Sequence, residues 1–164
     1  MEKIKMVFYV WKRLKEELDE IVELSAVEGY KVTKTEVVSK ALERELMKLK
    51  AEILSSRLSL LKGVDVECFA EKMLKLKKKL NCLTEQRYAQ ITGRAASEAY
   101  RINRESREYK ELLKIQELMD IYGEGWDRDV TLYLILLAIE DCREVKNCKE
   151  KNARMEEVLE RYFS

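Results

Sequence analysis

Histidine and proline are both absent from this chain of 164 residues. Without histidine, the commonest general base and a leading metal ligand are missing, which argues against an enzyme. Without proline, nothing breaks a helix from within, and helices can run long. Net charge is nearly absent too: 32 Lys and Arg stand against 31 Asp and Glu. No global polycation announces nucleic acid, so DNA binding must be argued from local pattern. No apolar run approaches the roughly 20 residues of a membrane span. The N-terminus carries lysines but no apolar stretch with a small-residue cleavage site. No signal peptide is expected, and the chain reads as intracellular. Four cysteines, Cys68, Cys82, Cys142 and Cys148, make no CxxC pair. A zinc site would need all four thiolates from scattered positions, so buried free thiols are expected, with no metal and no cofactor. A disulfide enters only if the source is a hyperthermophile.

What is present suits a salt-bridged helical protein: 46% of residues are apolar and 38% charged. The Lys and Glu content is compatible with a thermophilic source.

The first 50 residues have a definite order. Residues 3–10 read K-I-K-M-V-F-Y-V. Ile4, Met6, Phe8 and Val10 share one parity; Lys3, Lys5, Val7 and Tyr9 share the other. In a strand the first set makes an apolar face and the second a mixed polar one. So short a strand cannot stand alone, and its simplest partner is the same strand of another copy. Leu14, Leu18, Ile21, Leu24 and Val27 then recur at helical spacing, with Gly29 where a C-cap belongs. Thr33 and Glu36 form a capping box that opens a second helix. That helix places Val37, Val38, Ala41, Leu42, Leu46 and Leu49 on one side.

The strand M-V-F-Y-V, the helix from Leu14 to Val27 and the segment V-T-K-T-E-V-V-S-K-A-L-E together resemble the ribbon-helix-helix superfamily, which includes the Arc and MetJ repressors. The resemblance covers about the first third of the chain. It implies a mainly α protein, with one strand and two helices per chain in the N-terminal module. The strands of two chains pair antiparallel into a ribbon that enters the major groove of double-stranded DNA. It implies a homodimeric, sequence-specific transcription regulator, a repressor or an activator. Lys5, Val7 and Tyr9 then face base edges: Lys5 donating to guanine, Tyr9 through its hydroxyl, Val7 against a thymine methyl. Lys3, Thr33, Lys34 and Thr35 contact phosphate, the last three at a helix N-terminus. The chain departs from the family in its thin polar set, because Val7 is apolar. DNA shape then contributes to readout.

The remainder divides into a helical connector, 51–83, and a helical C-terminal domain, 84–164. The second helix is expected to continue through Ile53, Leu54, Leu58 and Leu61 to Gly63. Asp65 caps the next segment, whose stripe is Phe69, Met73, Leu76 and Leu80. Lys72, Lys75, Lys77, Lys78 and Lys79 read first as a solvated face and second as a phosphate contact. Arg87, Arg94, Arg101, Arg104 and Arg107 recur at sevens and threes, as a solvated face or a phosphate grip.

A shift of 94 residues lays Leu18, Ile21, Leu24, Val27 and Gly29 on Leu112, Ile115, Leu118, Ile121 and Gly123. A degenerate second ribbon-helix-helix module and a single long helix over 95–122 both remain open. With two modules the chain is similar to regulators of archaeal filamentous viruses, which would place it in a host-cell cytoplasm. Leu132 to Ile139 is a continuous apolar run that must be buried. The competing readings are a plasmid partition or copy-control protein, an antitoxin, and a helical protein-interaction module without DNA binding.

Overall fold

The computed structural model describes residues 10–29, 31–81, 102–121 and 126–143. The chain divides into two compact units, 1–43 and 44–164. Among the described residues there are five α-helices and one 3-10 turn, and no strand.

This corrects the ribbon-helix-helix expectation. Val10 and Trp11 pass directly into helix α1, Lys12–Val27, with Trp11 extended at φ −64° and ψ 144°. The regular elements among the described residues are all helical, and residues 3–9, on which the strand was expected, lie outside the described residues. The physical reason is that period-two alternation describes only a side-chain pattern. A strand also needs a ladder partner, and the described residues offer none. Neither reading left open for 95–122 holds over the described residues: no strand precedes the helix there, and no helix runs the whole length. Ile102 leads through a turn, with the Ser106 N–H on the Asn103 carbonyl, into helix α4, Arg107–Leu118.

In the first unit, α1 ends as its composition dictates. Glu28 N–H bonds to the Leu24 carbonyl, and Gly29 follows at φ +79°, a left-handed conformation suited to glycine. Helix α2, Lys34–Arg57, starts in this unit and runs into the second. No described side chain of residues 10–43 is buried.

The second unit holds the core. α2 stops at Arg57, earlier than its apolar pattern suggests, because the chain tightens into a 3-10 turn at Ser59–Leu61. Gly63, at φ +76°, then reverses it. Asp65 caps helix α3, Val66–Asn81, as expected: the Cys68 N–H donates to Asp65 Oδ1 at 2.7 Å. Phe69, Met73 and Leu76 are buried and Leu80 packs at the edge. Helix α5, Trp126–Arg143, carries the apolar run. Leu132, Leu134, Ile135, Leu137, Ala138 and Ile139 are buried, and Tyr133 and Leu136 pack against the core. α5 packs on both α3 and α4, with Leu112, Ile115, Met119 and Ile121 completing the core from α4 and its end. Cys68 and Cys142 are buried and in no disulfide; Cys82 and Cys148 lie outside the described residues. No helix among the described residues is long and apolar enough to cross a membrane.

Candidate nucleic-acid interface

The site residues expected to touch phosphate divide into two groups. Lys3, like the base-reading set Lys5, Val7 and Tyr9, lies outside the described residues. Thr33, Lys34 and Thr35 are brought together at the exposed start of α2. The capping box is formed. Thr33 N–H donates to Glu36 Oε2 at 2.8 Å, and Glu36 N–H donates to Thr33 Oγ1 at 3.2 Å. The Thr33 hydroxyl donates in turn to the same carboxylate oxygen at 3.1 Å. The backbone hydrogen bond from Thr33, followed by its hydroxyl, holds the Glu36 carboxyl below the ordinary glutamate range. Glu36 therefore stays ionised and favours the positive end of the helix dipole.

Lys34 is also engaged. Its ammonium pairs with Asp19 of α1. Asp19 was no part of the expected site. It lies 15 positions earlier in the chain, a separation that no local spacing rule connects. The result is a mixed site. First-turn amides and Lys34 favour an anion, whereas Glu36 and Asp19 already supply two carboxylates. A phosphate must displace Asp19 from Lys34 or share the ammonium with it. Lys34 is exposed and Asp19 half-buried, so the pair is only partly screened by solvent.

The basic residues further along the chain are largely committed elsewhere. Lys72 is buried and sits 3.3 Å from Asp141, which corrects its reading as part of a solvated face. Lys78 and Lys79 do lie on the surface. Arg104 Nη2 reaches Asp129 Oδ2 at 2.5 Å, and Arg107 Nε reaches Glu111 Oε1 at 2.9 Å. Both arginines are exposed, and each holds an ion pair within the chain. Arg87, Arg94 and Arg101 lie outside the described residues.

The apolar faces of α1 and α2 depart most from the sequence reading. On α1, Leu14, Ile21, Leu24 and Val27 are 55%, 48%, 59% and 83% exposed. On α2 the expected single apolar side is in fact two. Met47, Ala51 and Leu54 turn into the core, whereas Val38, Leu42, Leu46, Leu49 and Ile53 remain exposed. Met47, Ala51 and Leu54 also recur at spacings of four and three, a signal present in the sequence but hidden by its richer neighbour. No protein-family model, no curated protein and no solved structure matches this chain.

Proposed function

We propose that this chain is a sequence-specific, double-stranded-DNA-binding transcription regulator that acts as a homodimer. One observation carries the reading: the N-terminal unit holds an amphipathic helix and the start of a second, yet buries none of its described side chains. Contiguous exposed apolar surface marks a binding face, and here it adjoins the basic N-terminal segment in sequence. The dimer supplies the missing burial. Lys5, Val7 and Tyr9 are the base-reading groups in this proposal. Lys3, Thr33, Lys34 and Thr35 position the protein on phosphates.

The test is fluorescence anisotropy on DNA from upstream of the protein's own gene, over a salt series. The wild type should prefer this duplex to a scrambled one. Lys5→Ala or Tyr9→Ala should cost about 1–3 kcal/mol of that preference. Equal affinity of all three proteins for both duplexes would contradict base reading by these residues. A second reading, a helical protein-interaction module without DNA binding, is favoured by the carboxylates of Asp19 and Glu36 at the start of α2. Failure to bind either duplex at low salt would favour it over the first.

A further inference from the structure

Helix α2 within the second unit has two apolar faces, and only one of them is used by the chain's own core. Met47, Ala51 and Leu54 are buried, with exposures of 4%, 1% and 5%. Arg44 and Lys48 flank them and pair with Glu71 and Glu67 of α3 at 2.8 and 3.2 Å. The other face carries Leu46, Leu49 and Ile53, each 48% exposed. Their spacing of three and four residues is that of a heptad seam, with Leu46 and Ile53 at position a and Leu49 at position d. Leu42 continues the spacing one turn earlier in the sequence, and Ser39 and Ser56 close it with small polar residues.

The flanking charges identify the occupant. With this register, Glu45 and Glu52 occupy g positions and Lys50 and Arg57 occupy e positions. All lie at the surface except Lys50, which is half-buried. In a parallel, in-register pair of helices, each g residue meets the e residue five positions later on the partner. Glu45 then faces Lys50 of the second copy, and Glu52 faces Arg57 of the second copy. Both contacts are attractive, and two-fold symmetry repeats them. An antiparallel pair sets Glu45 against Glu52, like against like. Lys50 already reaches Asp120 Oδ2 at 2.6 Å, and its ammonium has three donors to divide between the two carboxylates.

We infer that a second copy of this chain docks on the Leu46–Leu49–Ile53 face of α2, parallel and in register, with Glu45–Lys50 and Glu52–Arg57 pairs across the interface. The inference rests on the dimer in the function proposed above and is independent of DNA. The seam spans only about 10 Å at 1.5 Å per residue. It sits on a helix already held by the core, so pairing does not have to bear the cost of forming that helix.

The test uses charge exchange in the full-length protein, read by sedimentation velocity over a concentration series. The Glu45→Lys/Glu52→Lys variant and the Lys50→Glu/Arg57→Glu variant should each dimerise at least tenfold more weakly than wild type. Mixed in equal amounts, they should form a heterodimer. Leu49→Glu, a surface change, should leave the circular dichroism unchanged and weaken the dimer at least tenfold. A wild-type dimer indifferent to charge exchange and to Leu49→Glu overturns the inference but leaves the dimer standing on another face. A wild type that stays monomeric across the series overturns both the inference and the dimeric part of the proposed function.

Discussion

Lys72 Nζ lies 3.3 Å from Asp141 Oδ2, with the two side chains only 8% and 7% exposed. The pair joins α3 to the last turn of α5, where the Asp65 N–H also bonds to the Cys142 carbonyl at 3.0 Å. Charges so deeply placed are tolerated only when paired. Lys72→Met should therefore destabilise the protein by about 3–5 kcal/mol, because Asp141 is left with its charge uncompensated by Lys72. Lys72→Met/Asp141→Leu should recover most of that loss. Urea denaturation of the three proteins measures both effects, and a double variant as unstable as the single one would contradict this view of the pair.

Glu111 acts as a clamp on the 3-10 turn. Its carboxylate accepts from the Leu60 N–H and the Ser59 hydroxyl, each at 2.8 Å, and from Arg107 Nε at 2.9 Å. Burial pushes its pKa up, but the bonds from Leu60, Ser59 and Arg107 and the Arg107 charge outweigh burial and hold it at about 2. The folded value lies below the unfolded one, so the carboxylate contributes its full stability above pH 4.5. That contribution is lost as pH falls from 4.5 towards 2. Glu111→Gln should cost about 1–3 kcal/mol at neutral pH and flatten the loss of stability in that window. Thermal melts from pH 7 down to pH 2 would show it.

Thr33 and Lys34 should separate stability from DNA affinity. Thr33→Ala removes the cap of α2 and should cost about 1 kcal/mol of stability. Lys34→Ala removes only a partly exposed ion pair with Asp19, so stability should change by about 1 kcal/mol or less. Its DNA affinity should nevertheless fall equally for all sequences, with the salt slope reduced by about 1. A wild-type salt slope in Lys34→Ala would remove Lys34 from the phosphate contacts. Asp19→Asn should act in the opposite direction, strengthening binding by freeing the ammonium.

Ile135 is fully buried in the apolar run of α5. Ile135→Ala should cost about 2–5 kcal/mol, since the packed core around it relaxes only partly. Leu118→Ala, at 38% exposure, should cost clearly less. Similar losses for the two would mean that exposure does not rank these positions.

Local signals were legible in the sequence where one residue's chemistry decides the structure. Gly29 at positive φ, the Thr33–Glu36 box, the Asp65 cap and the burial of Leu132 to Ile139 all belong to this kind. Signals that need a partner were not. The alternation of residues 3–10 suggested a strand, but no strand occurs among the described residues, and residues 3–9 lie outside them; alternation alone cannot supply the neighbouring strand that a ladder needs. The shifted repeat matched Leu112 and Ile115 to Leu18 and Ile21 because amphipathic helices share one period. The structure separates the pairs: Leu112 and Ile115 are fully buried, whereas Ile21 is 48% exposed. The buried ion pair of Lys72 and the engagement of Lys34 by Asp19 are tertiary facts that spacing along the chain does not encode. The core-facing side of α2 was written in Met47, Ala51 and Leu54 but masked by the bulkier leucines beside it.

The proposed dimer on DNA is tested most directly by the stoichiometry of the complex. Sedimentation of the full-length protein with a duplex from upstream of its own gene, at physiological salt, reads the number of chains bound. Two copies per duplex at saturation, with Leu49→Glu shifting the binding curve to higher protein concentration, is the expected result. One copy per duplex with unchanged affinity in Leu49→Glu, or no complex at any salt concentration, would contradict a dimeric DNA-binding regulator.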